Sequence, residues 1–217
     1  MKKPLEQRSY SCDVNAEKSE RGSKISGRPI VYGSRTDLGW FDEIIESGAL
    51  IGADLTDVRF LVNHNLNMIP LARSRRNNGN STMTLSPNDF GMDIDVDLDT
   101  ENNADAKALY SAVERRDISG MSFMFSIDEE RWEDLESDHP TRHILKIGSV
   151  VEVSAVTFPA YDATEINARS KEALENARSA LENARQQTAI PLESGNNSNN
   201  ELELLKEKTK FLGGIKS

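Results

Sequence analysis

A chain of 217 residues with 26 Lys and Arg against 36 Asp and Glu carries a formal net charge of −10. That balance argues against a general nucleic-acid binder, whose affinity draws on Lys and Arg displacing counterions from phosphates. Cys12, the single cysteine, excludes an internal disulfide and a cysteine-only metal site and fits a reducing compartment. The length suits one domain with a real core plus an appendage. No apolar run reaches bilayer-crossing length, and the first residues lack the apolar core of a signal peptide. A soluble, intracellular protein that engages neither membrane nor nucleic acid is expected.

Residues 1–165 read mainly as short strands separated by turns. Ile25 to Tyr32 is strand-like and is closed by Gly33-Ser34. Trp40-Phe-Asp-Glu-Ile-Ile-Glu46 predicts a short helix ending near Gly48, and Val58 to Asn63 is an apolar run leading into His64. Ile69–Arg75 and Ser81–Leu85 flank Asn77-Asn-Gly79-Asn80, a hairpin signal because Asn and Gly tolerate positive φ. Asp93-Ile-Asp-Val-Asp-Leu-Asp99 alternates acids with Ile94, Val96 and Leu98. This predicts a half-buried strand with a solvated face rather than a cation site, since the Gly and closing Glu of a calcium loop are absent.

The period then changes. Asn103 to Arg116 carries Ala104, Ala108, Leu109, Ala112 and Val113 at helical spacing, with Asp99 or Thr100 as the cap. Strands at Met121–Ile127, His143–Ile147 and Val150–Phe158 follow, the last ended by Pro159. Short strands with one or two helices predict a β-rich α+β domain, arranged as a barrel.

Beyond Thr164 the composition shifts. Ala-Leu-Glu-Asn-Ala-Arg occurs at residues 173–178 and again at 180–185, placing Leu174, Ala177, Leu181 and Ala184 on one helix face. With Ala at alternate seam positions, a solitary helix and a weak self-association seam both fit. Pro191 stops it; Ser194-Gly-Asn-Asn-Ser-Asn-Asn200 reads as a linker and Glu201–Leu212 as a last amphipathic helix. Residues 166–217 are therefore expected to lie outside a domain of residues 1–165.

Three segments carry potential chemistry. Ser119-Gly-Met-Ser122-Phe-Met-Phe125 opens a small, hydroxyl-bearing turn onto an apolar run, offering Ser119 or Ser122 as a nucleophile. Asn63-His64-Asn65 ends another apolar run, and Glu152 projects from a third, Val150 to Phe158. A serine needs a base to take its proton during attack, imidazole binds that proton with suitable affinity near neutral pH, and a further polar group fixes the tautomer. Each segment also has a plain alternative: a surface-loop histidine, a small residue on an outer strand face, an outward-facing glutamate. His139-Pro-Thr-Arg-His143 spaces two imidazoles as a helix would for chelation, but Pro140 and Ile144-Leu-Lys-Ile147 predict a turn entering a strand. No metal and no cofactor are expected.

Taken in order, these segments resemble the prohead (capsid maturation) proteases of tailed bacteriophages. The resemblance runs over residues 20–165. It comprises Gly27 with Val31-Tyr32, Trp40-Phe-Asp-Glu-Ile-Ile-Glu-Ser-Gly48-Ala49-Leu50, Asn63-His64-Asn65, Ser119-Gly-Met-Ser-Phe-Met-Phe125 and Val151-Glu-Val-Ser-Ala-Val-Thr-Phe-Pro-Ala-Tyr161. The last block is the most specific. Asn65 stands where the family usually has Asp, Leu50 where Phe is common, and Met124 where Gly is common.

The resemblance implies the fold of the herpesvirus assembly proteases, a β-barrel wrapped by helices and commonly dimeric. It implies a serine endopeptidase acting in the host cytoplasm inside the assembling procapsid. Its substrates would be the scaffold, extensions of the major capsid protein, and itself. Ser122 would be the nucleophile, His64 the general base, and Glu152 the third member, with His143 as the alternative. Arg73, Arg75 and Arg142 are candidates for a loop beside the oxyanion. Leu192-Glu193-Ser194 offers an accessible place for self-cleavage. A competing reading is a non-enzymatic, scaffold-like assembly factor on an inactive protease fold, motivated by the heptads and the acidic tail. A small-ester hydrolase is weaker still, because the Gly-x-Ser-x-Gly elbow is absent.

Overall fold

The computed structural model describes residues 4–12, 14–19, 22–157 and 171–189. The chain divides into two compact units, Met1–Leu181 and Glu182–Ser217, and the first carries both sheets and the candidate site. The linker, the terminal helix and the Leu192–Ser194 stretch lie outside the described residues.

The fold is mixed α+β and strand-rich, built on two open sheets rather than a closed barrel. The larger sheet contains β1 (Glu6–Ser11), β4 (Arg35–Asp37), β5 (Asp42–Ile45), β6 (Val58–Val62), β7 (Ala72–Ser74), β10 (Gly120–Glu133) and β11 (Thr141–Val156). The smaller has β2 (Asn15–Ser19), β3 (Gly22–Val31), β8 (Met83–Asn88) and β9 (Gly91–Leu98) in the order β2-β3-β9-β8. Its face behaves as the alternation predicts, with Met92, Ile94, Val96 and Leu98 buried. On the acidic side Arg28 pairs with Asp93 and Lys24 with Asp95. Helix α1 (Ala104–Glu114) packs against β2, β3 and β9 through Ala106, Leu109 and Val113. Its cap is Asn103, whose side chain accepts from the amides of Asp105 and Ala106, and not Asp99 or Thr100.

β11 organises the larger sheet. One edge pairs antiparallel with β10 along nearly its whole length. The other edge takes two parallel partners in succession, β5 against Thr141–Ile144 and β6 against Glu152–Ala155. The two strands predicted at His143–Ile147 and Val150–Phe158 are thus one. Gly148 allows this: a Cβ there would lie 2.4 Å from Asp128 Oδ1. Phe123, Phe125, Val153 and Ala155 are fully buried and join Ile25, Ile30 and Val96 of the smaller sheet in one core.

Two predicted elements are corrected. The helix expected over Trp40–Glu46 is β5, because Phe41, Glu43 and Ile45 alternate inward and the segment pairs with β4 and β11. The expected hairpin at Asn77–Asn80 is a turn with positive φ at Arg76 and Asn77, but its flanks do not pair as a ladder. β7 joins β6 and β8 joins β9, in different sheets. Helix α2 (Lys171–Ala189) carries the repeat, and Ala177 and Leu181 of its seam pack with Phe41, Leu38, Trp132 and Leu135. Ala177 and Leu181 therefore meet a cluster of their own unit.

A buried ionic network joins β1 to the sheet. Arg8 bonds both carboxylate oxygens of Glu43, the Nη2 contact to Oε2 measuring 2.6 Å, and reaches Glu6 at 2.6 Å. Arg142 grips Glu6 with two bonds of 2.9 Å, reaches Glu43 at 3.3 Å and bonds Glu130. Burial alone would raise the Glu6 carboxyl, but Arg8 and Arg142 outweigh it and hold it below its usual range. A depressed carboxyl stabilises the fold above its unfolded pKa, and that contribution is lost as pH falls through the folded value.

Glu6→Gln is expected to cost about 3–5 kcal/mol at pH 7. The gap should close as urea titrations move below about pH 4.5 and the Glu6 carboxyl takes up its proton. Gly91 (φ 144°) lies where a Cβ would come 1.9 Å from the Ile30 carbonyl oxygen. Gly91→Ala is expected to lower stability by about 2–4 kcal/mol in the same titration.

Candidate active site

The β10–β11 register sets Ser122 directly opposite Ser154 and Met124 opposite Glu152. Because strand side chains alternate, Ser122, Ser154 and Glu152 share the face away from Phe123 and Val153. β6 lies on the other edge of β11, with Leu61 beside Ser154, and ends at Val62. Two residues in left-handed conformation, Asn63 (φ 51°) and His64 (φ 55°), then turn the chain back over β11. Such geometry is costly for a non-glycine residue and persists where surroundings hold it. Here the Asn63 amide donates to the Ala155 carbonyl at 2.9 Å. Its side chain exchanges two 3.0 Å bonds with Thr157.

The turn delivers the imidazole to Glu152. His64 Nδ1 lies 2.5 Å from Glu152 Oε1. The second carboxylate oxygen accepts from Ser154 Oγ at 2.7 Å, and Ser154 Oγ in turn accepts from the His64 backbone N–H at 3.1 Å. Glu152 is only 1 % exposed, so its charge depends on these partners. In the neutral tautomer whose Nδ1–H donates to the carboxylate, Nε2 presents its lone pair. Among the described residues, His64 Nε2 is the buried side-chain N or O atom that has no hydrogen-bond partner.

Ser122 is fully buried. Its hydroxyl donates to the Arg8 carbonyl at 2.7 Å and accepts from Ser9 Oγ at 2.8 Å. Ser122 thus stands on the strand face that carries Glu152, the partner of the His64 ring, and His64 Nε2 is not hydrogen-bonded to it. Ser119, the other candidate, is exposed just before β10.

The remaining candidates lie elsewhere. His143 bonds Glu46 through Nδ1 at 2.6 Å and Glu133 through Nε2 at 3.0 Å, near the opposite end of β11. His139 reaches Asp42, so the two histidines do not converge. Arg73 is bidentate to Asp57, Arg75 bonds the Asn80 carbonyl, and Arg142 sits in the Glu6 network. Asn65 accepts from the Asn67 amide within its own turn. Ser154 escaped the sequence reading, although it stands two residues from Glu152 in a strand and so must share its face. Ser9 and Arg8 gave no local signal.

An imidazole fixed by a buried carboxylate, with a serine on the neighbouring strand of the same face, is the residue set of serine hydrolases. The family model for caudovirus prohead serine proteases matches residues 10–179, and the chain belongs to that family. No curated protein and no solved structure matches the chain.

Ser154→Ala removes one bond to a charged carboxylate and the hold on the His64 amide. A charge-assisted bond of about 1.5–3 kcal/mol predicts a loss of about 10- to 100-fold in the labelling rate of Ser122 by a fluorophosphonate. An unchanged rate would show that Ser154 does not hold the site.

Proposed function

We propose that the chain is a serine endopeptidase of procapsid maturation, cutting scaffold or extensions of the major capsid protein and also itself, and working as a homodimer. Membership of the prohead protease family supports the reaction class and the setting inside the assembling procapsid. The observation that carries the residue assignment is the His64 Nδ1–Glu152 contact of 2.5 Å combined with a buried, unpartnered Nε2.

In the mechanism, His64 Nε2 takes the Ser122 proton as Oγ attacks the scissile carbonyl. The imidazolium formed is stabilised by Glu152, which keeps the ring in the required tautomer. The proton passes to the leaving amine, and water activated by the same imidazole hydrolyses the acyl-enzyme. Ser154 keeps the carboxylate and the His64 backbone in register. No metal or cofactor enters these steps.

A second reading, a scaffold-like assembly factor with an inactive protease fold, draws support from the complete burial of Ser122. Co-expression with the capsid precursor separates the two. Ser122→Ala is expected to abolish processing while leaving the fold intact, and Glu152→Gln to slow it by about 10³–10⁴-fold. Processing at the wild-type rate by Ser122→Ala would falsify the nucleophile assignment.

A further inference from the structure

Ser122 has a strand on each side, β11 and β1. On the β1 side the Arg8 carbonyl takes its hydroxyl proton and Ser9 donates to its oxygen. A serine so held has no room for a scissile carbonyl, and its proton points to an acceptor that cannot act as a base. Two shallow surface hollows, one lined by Leu55, Thr56 and Arg76 and the other by Pro4, Glu6 and Arg142, do not include Ser122 or His64.

β1 is also fastened from its other face. Glu6 and Arg8 point away from Ser9 and enter the buried network with Glu43 of β5 and Arg142 of β11. Moreover, the family match begins at residue 10, so Glu6–Ser9 precede the matched stretch and yet cover the nucleophile.

Removing β1 would expose the N–H and C=O groups of Gly120–Phe125 as an open edge, which an extended peptide can join by strand addition. A peptide in the β1 register would bring a carbonyl to Ser122 Oγ, the place the Arg8 carbonyl now holds at 2.7 Å. We propose that β1 is an autoinhibitory strand, a built-in occupant of the β10 edge on which an extended peptide substrate docks, latched by Glu6 and Arg8. Ser122 becomes competent when β1 leaves. This rests on Ser122 being the nucleophile.

A reversible lock tests it. Gln7 and Met124 are directly opposed in the β1–β10 ladder. Opposed residues lie about 4.5–5.5 Å apart at Cα, within disulfide range. In a full-length Cys12→Ser, Gln7→Cys, Met124→Cys chain, fluorophosphonate labelling of Ser122 is followed by peptide mass spectrometry. The oxidised form is expected to label about tenfold or more slowly than the reduced form, with recovery on reduction.

Equal rates at Ser122 in both forms overturn the autoinhibitory role and leave the nucleophile assignment standing. Absence of labelling in both forms and in Glu6→Gln removes the nucleophile assignment, and this proposal with it. Should the cysteine pair fail to fold, Glu6→Gln decides alone. Labelling about threefold or more faster than the unaltered chain supports the latch, and an unchanged or slower rate overturns it.

Discussion

The register between β10 and β11 is the constraint on which the rest depends. Phe123, Phe125, Val153 and Ala155 form a fully buried apolar face, and a slip of one residue would turn Glu152 into it. A carboxylate there would be stranded without partners, so the apolar pattern locks the polar one. Once Ser122 is opposite Ser154, the position of Glu152 follows two residues along. β6, docked in parallel on the same stretch of β11, then delivers the His64 turn above it.

The strands carry buried carboxylates on both faces, and the partners differ in kind. Glu6 and Glu43 are met by the guanidiniums of Arg8 and Arg142. Guanidiniums stay charged at every pH a protein survives, so near neutral pH this network ties strands together. Glu152 is met by an imidazole and a hydroxyl. Imidazole is the side chain most often used as a general base, the role proposed for this one. The same burial cost thus yields a fastening on one side of the sheet and, on the other, the pair proposed to serve catalysis.

What could be read from the chain follows the range of the interactions. β9 and α1 have their own periodicity, Met92–Leu98 at period two and Ala106–Val113 at helical spacing, and both form where that periodicity places them. The segment around Phe41, Ile44 and Ile45 fits a helix equally well by spacing, and only the parallel pairing with β11 makes it a strand. The Asn-rich turn exists, but the sheets chosen by its flanks are decided by distant partners. His64, Ser122 and Glu152 could be named through the resemblance of three ordered segments to the prohead proteases, since each segment taken alone fits a plain structural residue as well. Arg8 and Ser9 could not, since their contacts to Ser122 span more than a hundred residues.

Topology also determines which neighbour of Ser122 is able to yield. β11 is held on both edges, by β10 on one and by β5 and then β6 on the other, so moving it would break three ladders. The His64 turn is tied to the end of β11 by Asn63 and Thr157, and its displacement would separate the imidazole from Glu152. β1 alone among these pairs with a single strand and stands at the end of the sheet order. Its departure opens one ladder and one ionic network and leaves the Ser122–Ser154 register untouched. Release of β1 is thus the change that would uncover the hydroxyl and keep the His64–Glu152 pair, as the proposed autoinhibition requires.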